Sequence, residues 1–217
     1  MKQEKVLVAG ANGKTGREIV ALLKNHEDYS PIALIRKQEQ QAFFDGMQVE
    51  TRLGDLEGDL EPAVQEIDRV IFAAGSGSKT GKDKTTAVDQ NGAINLIDRA
   101  KAAGVRKFVM LSSMGADDPG QNKELEHYLN AKQKADEHLQ ASFLEYTIVR
   151  PGALTDDEKT NKIKAKKKLN QYGEISRKDV AQVLVDSLPP NMLKNKTFEI
   201  LNGELATPLA LEQVDYA

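Results

Sequence analysis

Tyr128 and Lys132 stand four residues apart in Tyr128-Leu-Asn-Ala-Lys132. On a helix that spacing puts both side chains on one face. A free tyrosine has a pKa of about 10, so it exchanges protons near neutrality only with help. A neighbouring ammonium favours the phenolate, which gives the pair the make-up of a proton donor. Upstream, Ser112-Ser113 ends a short apolar run. A serine hydroxyl there suits a hydrogen bond to a substrate carbonyl. Tyr and Lys four apart also occur on ordinary amphipathic helices, so the pair takes its meaning from its surroundings.

A second set of residues suits phosphate. Gly10, Gly13 and Gly16 recur at every third position, directly after the apolar run Lys5–Ala9. The expected roles differ. Gly10 permits a sharp turn, Gly13 lets the backbone approach a pyrophosphate, and Gly16 lets the following helix pack close to the strand. The first amides of that helix, expected over Thr15–Asn25, would face the phosphates with the positive end of its dipole. The spacing is G-x-x-G-x-x-G rather than the usual G-x-G-x-x-G. Placement between a strand and a helix favours dinucleotide binding over an ordinary turn. An acidic residue about 20 residues beyond such glycines would meet the ribose 2′-OH of NAD. Here the second strand ends instead in Arg36-Lys37. A guanidinium at that point suits the 2′-phosphate of NADP, with Arg17 adding to it. NADP is therefore expected, with NAD possible, and the bland alternative is that Arg36 and Lys37 merely solvate a strand end.

These residues need a scaffold of alternating strands and helices. Strands are expected over Lys5–Ala9, Pro31–Arg36, Val49–Leu53, Arg69–Ala74, Lys107–Ser112, Tyr146–Val149 and Thr197–Leu201. Helical patterns cover Thr15–Asn25, Lys37–Asp45, Lys84–Ala103, Asn122–Ser142 and Ser176–Leu188, with Ser176 as N-cap and Asp179 near the dipole's positive end. Such alternation predicts an α/β fold, a doubly wound and mostly parallel sheet with helices on both faces. Ligands then bind at the carboxyl ends of the strands, near the switch in strand order. The tail from Pro208 is too short to assign. One domain over 1–217 is expected, with small substrate-side segments about 153–175.

Composition narrows the classes. The chain has 217 residues, a net charge of −3, 40% hydrophobic residues and no cysteine. Disulfides, thiolate metal sites and a cysteine nucleophile are excluded. The charge argues against a surface spread with nucleic-acid contacts. No apolar run approaches the roughly 18 residues of a membrane span, and a cytoplasmic protein is the simplest expectation. His26, His127 and His138 lack metal-ligand spacing, so no metal is expected. Lys159, Lys162, Lys164, Lys166, Lys167 and Lys168 form a basic run behind Asp156, Asp157 and Glu158. A solvated face is its ordinary reading, and an anionic substrate or partner the sharper one.

Taken together, these stretches resemble the short-chain dehydrogenase/reductase superfamily, and within it the atypical NAD(P)H-binding branch that includes biliverdin-IX-beta reductase (flavin reductase). Gly10–Gly16, with Asn12, Lys14 and Thr15, resembles that branch's cofactor loop. Gly54-Asp55-Leu56 is similar to its adenine-contact turn, and Ala73-Ala74-Gly75 to its strand end over the adenosine ribose. Ser113 aligns with the branch's active-site serine, with Ser112 beside the cofactor. Arg150-Pro151-Gly152, running into Ala153, resembles the turn at the nicotinamide carboxamide. Tyr128 and Lys132 match the superfamily's catalytic pair, and Lys132 would also hold the ribose.

The resemblance implies a Rossmann-fold oxidoreductase that passes hydride to a small carbonyl, enone, quinone or flavin-like acceptor. Two alternatives stay open. One is a non-catalytic NADP(H) sensor resembling the nitrogen-metabolite-repression proteins. The other is a sugar-nucleotide epimerase or dehydratase. Against the latter, Tyr128 follows Ser113 at a shorter interval than in those enzymes, and their long C-terminal substrate domain is lacking. The expected partner is a small molecule, and the expected state a monomer or homodimer.

Overall fold

In the computed structural model, residues 2–77 and 81–216 are described. Ser78, which follows the fourth expected strand, and the first part of the substrate-side segment Lys79–Lys84 lie outside them.

The chain begins with β1 (Glu4–Ala9), whose Val6, Leu7, Val8 and Ala9 are all fully buried. Alternate residues serve opposite faces. Val6 and Val8 join one apolar core, and Leu7 and Ala9 the other. A strand with helices on both sides must be apolar throughout, which is why β1 reads as an unbroken hydrophobic run. Helix α1 (Lys14–Lys24) returns to β2 (Tyr29–Ile35), then α2 (Gln41–Gly46) to β3 (Glu50–Leu53). Helix α3 (Glu61–Val64) precedes β4 (Arg69–Phe72). Helix α4 (Lys82–Lys84), a π-helical stretch over Thr85–Gly92 and α5 (Ala93–Ala102) lead to β5 (Lys107–Leu111). Helix α6 (Glu126–Ala141) leads to β6 (Glu145–Pro151). Strands β7 (Ala153–Thr155), β8 (Lys162–Lys166) and β9 (Glu174–Ser176), α7 (Arg177–Asp186), β10 (Lys196–Asn202), β11 (Leu205–Ala206) and α8 (Thr207–Asp215) complete it.

The nine-stranded sheet has the order β11-β8-β10-β6-β5-β4-β1-β2-β3. Pairings from β3 through to β10 are parallel, and β8 runs antiparallel to both β10 and β11. The expected mostly parallel Rossmann sheet is present. The order reverses between β1 and β4, which leaves a crevice at their carboxyl ends. Helices α1, α7 and α8 bury apolar residues against one face, and α3, α5 and α6 against the other. The two small strands β7 and β9 pair with each other beside the main sheet.

Ser176 caps α7 as expected: its Oγ accepts from the Asp179 backbone amide at 3.0 Å. Asp179 in turn accepts from the Thr160 and Asn161 amides at 2.9 and 2.8 Å, which pins the entry to β8.

Two segments left without an element gain one, and two expected helices need correction. The basic run is in part strand β8, with Lys162, Lys164 and Lys166 exposed and Ile163 and Ala165 buried. Cross-strand pairing with β10 imposes the period of two there. The unassigned tail forms α8, where Pro208 occupies the first turn, a position that needs no backbone N–H. The helix expected over Lys84–Ala103 is interrupted by the π-helical turns. The helix expected from Asn122 starts at Glu126, because Asn122 is spent on a turn in which its Oδ1 accepts from the Leu125 amide at 3.2 Å.

Candidate active site

The loop between β1 and α1 is built around two close approaches. Gly10 has φ +82°, and a Cβ there would lie 2.6 Å from the Ala74 backbone at the end of β4. At Gly16 a Cβ would stand 2.1 Å from the Gly10 carbonyl oxygen. Only glycine satisfies both, so α1 starts hard against β1. Gly13 precedes the helix in extended conformation, and α1 has no side-chain cap. Its first amides are thus left for an anion, the arrangement that binds pyrophosphate.

A cavity of about 470 Å³ opens above this loop. Gly10, Asn12, Gly13, Arg36, Asp55, Leu56, Ala73, Ala74 and Gly75 line it, from the ends of β1, β2, β3 and β4. Its shape and its cradle of glycine and helix amides fit a dinucleotide. The Arg36 guanidinium makes no hydrogen bond or ion pair among the described residues, whereas Lys84, also on the wall, is paired with Glu57 at 2.7 Å. Lys84 carried no local sequence signal.

Several expected cofactor residues are absent from the cavity lining, although the amides of Lys14, Thr15 and Gly16 are the first of α1. Lys37, Lys14, Thr15, Gly16 and Arg17 do not line this cavity. Lys14 forms an ion pair with Asp156. Arg17 donates to Asn12 Oδ1 at 2.7 Å and stacks over the Phe43 ring, 4.0 Å from its centroid.

Beside it, at the ends of β5, β6 and β10, lies a second cavity of about 520 Å³. Ser113, Pro151, Gly152 and Ala153 line it, with Met114, Leu125 and Leu129 as its apolar part. Ser113 is half-buried, and its hydroxyl reaches the Met114 carbonyl at 3.3 Å. Ser112 behaves differently. Its buried hydroxyl donates to Asp136 Oδ2 at 2.8 Å, so it is committed to the protein rather than turned to a ligand.

Lys132 and Tyr128 share one face of α6, as their spacing requires. The Lys132 ammonium is buried, 5.7 Å from the Tyr128 ring centroid and 3.2 Å from Asp89 Oδ1. It also donates to the Leu111 carbonyl at 3.4 Å. Burial pulls the Lys132 pKa down, but the Tyr128 oxygen and the Asp89 and Asp136 carboxylates outweigh it. The net direction is upward, so the ammonium stays charged. Tyr128 and Lys132 line neither cavity themselves; Leu125 and Leu129, flanking Tyr128 in sequence, line the second.

Asp89 ties this lysine to the first cavity. It stands on the π-helical stretch, fully buried, and its Oδ2 accepts from the Ser76 amide at 2.9 Å. Such π turns recur at functional sites because they re-aim side chains. Behind Lys132 lies Asp136, bound by the Arg150 guanidinium at 2.8 and 3.0 Å. Burial raises the Asp136 pKa against the pull of Arg150, Ser112 and Lys132. Sequence reasoning missed Asp89 and Asp136. Asp136 had a signal, since it follows Lys132 by four residues on the same helix face. Among the described residues, no group of three or more His, Asp or Glu side chains is arranged to hold a metal, and no helix is long and apolar enough to cross a membrane.

Comparison with known proteins gives this geometry a family. Residues 10–190 match a family model described as NAD(P)H-binding. The Bacillus subtilis protein named uncharacterized sugar epimerase YhfK is 40% identical over 210 residues, covering 95% of this chain and 97% of its own. A solved Bacillus halodurans structure, provisionally named an NAD-dependent epimerase/dehydratase, superimposes with a TM-score of 0.93. It shares 40% identity over 97% of this chain and 100% of its own. Sanguinarine reductase of Eschscholzia californica is 29% identical, covering 92% of this chain and 89% of its own. The chain thus belongs to the NAD(P)H-binding family, in the oxidoreductase-like group of atypical short-chain dehydrogenases/reductases.

Proposed function

We propose that this protein is an NADP(H)-dependent reductase of small carbonyl, enone, quinone or flavin-like acceptors. The observation that carries the reading is the placement of Lys132. A charged ammonium is buried between Asp89 and the Tyr128 ring, against the Leu111 carbonyl at the carboxyl end of β5. A buried ammonium is costly unless it is used or paired, and its neighbour is a proton-bearing phenol. The reductase name of one relative supports the same reading.

The nicotinamide, when bound, supplies the hydride. The chain's own residues do the rest. Gly13, Asn12 and the first amides of α1 hold the pyrophosphate, and Arg36 meets the 2′-phosphate. Asp55, Leu56 and Ala73–Gly75 enclose the adenosine end, and Pro151–Ala153 orient the carboxamide. Ser113 polarises the acceptor oxygen from the wall of the second cavity. Tyr128 gives that oxygen its proton, and Lys132 holds the charge that makes the transfer easy.

The test is NADPH oxidation against a panel of quinones, flavins and activated carbonyls. Tyr128→Phe keeps the ring and removes the proton. A carbonyl reduction limited by proton transfer should then lose roughly 10²–10⁴-fold in kcat, the usual contribution of general acid catalysis. Ser113→Ala should cost less. A wild type that binds NADPH and oxidises none of it, with Tyr128→Phe indistinguishable, moves the weight to the sensor.

A further inference from the structure

The second cavity has a charged floor that the chemistry above does not use. Glu199, on β10, is 1% exposed and lines it. Its neighbours Phe198 and Ile200 point into the opposite core, so strand alternation turns Glu199 to the cavity side. One carboxylate oxygen, Oε2, accepts from the Leu169 amide at 2.6 Å. The other, Oε1, is met by an ammonium. The Lys168 ammonium lies 3.3 Å from that oxygen, and the same ammonium is shared with Asp117 at 2.6 Å. Lys168 is the only cation on the cavity wall among the described residues, and Asp118 adds a second carboxylate at the rim. Asp117 is met by Arg150 as well, at 3.6 Å; on the wall itself one ammonium faces the two carboxylates of Glu199 and Asp118, and the wall keeps negative charge. A carboxylate met by one amide and one shared ammonium keeps acceptor capacity that a ligand on the cavity side can use.

We propose that Glu199 is a specificity-determining residue: its carboxylate makes the second cavity select uncharged or cationic acceptors and reject anionic ones. The inference rests on the reductase reading in taking this cavity as the acceptor site. It also sets this chain apart from an enzyme for sugar diphosphates, since a diphosphate would meet two carboxylates and no unshared cation there.

The experiment is a binding one, so it does not depend on turnover. Three probes share one ring system: a naphthoquinone, its sulfonated derivative and its alkylammonium derivative. Their affinities are measured by calorimetry on the NADP+-loaded protein. The wild type should bind the sulfonate at least about tenfold more weakly than the parent, the scale of one charge pair at a partly screened site. Glu199→Gln keeps the shape and the Leu169 bond, and should erase most of that discrimination. Lys168→Gln unmasks the carboxylates and should widen it. A purely structural role would move both variants the same way, by loosening the loop that Lys168 fastens. Equal affinities in the wild type, both variants shifting in one direction, or no binding of any probe overturns the proposal. A wild type with the expected order of affinities that oxidises no NADPH keeps the selectivity and removes the reductase reading.

Discussion

At the scale of single residues, each candidate is defined by what else its polar atoms touch. Ser112 and Ser113 are adjacent, yet one hydroxyl is spent on Asp136 and the other faces a cavity. Arg36 and Lys37 are also adjacent, but only Arg36 lines the cofactor cavity. Both pairs lie just past a strand end, β5 ending at Leu111 and β2 at Ile35, where the chain turns and adjacent side chains part. That distinction makes Arg36, rather than Lys37, the residue on which the proposed preference for NADPH is tested. Arg36→Ala should weaken NADPH by about 1.5–3 kcal/mol, the range for a charged hydrogen bond, and leave NADH nearly unchanged. Titration calorimetry with both cofactors reads it. Equal losses for the two cofactors would show that Arg36 does not meet the 2′-phosphate. The same rule explains Lys132. Its environment includes Asp89, which sits far off in sequence and which only the fold brings to it.

Elements place these residues, and their ends carry most of the chemistry. Helix α1 offers uncapped amides at its start, while α7 ends less comfortably. Asp186, its last residue, puts a carboxyl where the helix dipole is negative. Burial raises its pKa above the ordinary 3.8, opposed by the Gln182 hydrogen bond at 2.8 Å and by His26. A carboxyl with a raised folded-state pKa is fully compatible with folding only below its unfolded value. The protein therefore loses stability as pH rises from about 3.8 through the folded value. Asp186→Asn removes that loss. Thermal unfolding should show the variant more stable than wild type by about 0.5–1 kcal/mol at pH 7.5 and no different near pH 3.5, provided both fold there. A constant difference at both pH values would assign the effect to packing. The elements themselves were legible where the pattern is local. The glycine loop, the buried strands and the Ser176 cap all follow from residues within a few positions of one another. The π-helical turns were not legible, because what fixes them is Asp89 reaching Lys132 and the Ser76 amide. Strand β8 was hidden for a related reason. Its lysines dominate the composition, and its alternation becomes visible only once β10 lies beside it. Likewise the Glu199–Lys168–Asp117 cluster joins β10 to two loops, and no spacing in the chain announces it.

At the scale of the whole molecule, fold and cofactor site can be separated experimentally, because Gly13 belongs to one and not the other. Its φ of −73° suits any L residue, and a Cβ there would meet only the Gly10 carbonyl oxygen, at 3.2 Å. Gly10 and Gly16 have no such freedom, since a Cβ at either collides with backbone. Gly13→Val should therefore fold. Its cost is at most about 1 kcal/mol for a poorer residue at the helix start, or up to about 4 °C in Tm for a chain of this size. The branched side chain would nevertheless stand where the pyrophosphate must approach. NADPH at 100 times its Kd stabilises a protein by about 2.7 kcal/mol, which is about 5–10 °C here. The wild type should show that rise in a thermal scan, growing with the logarithm of NADPH concentration. Gly13→Val should show none at the same concentrations while keeping its own cooperative transition and far-ultraviolet circular dichroism. A variant that melts as the wild type does and still gains the full NADPH shift would make the loop a turn and nothing more. A variant that fails to fold would mean that the Gly10 carbonyl, 3.2 Å from a Cβ at this position, cannot give way.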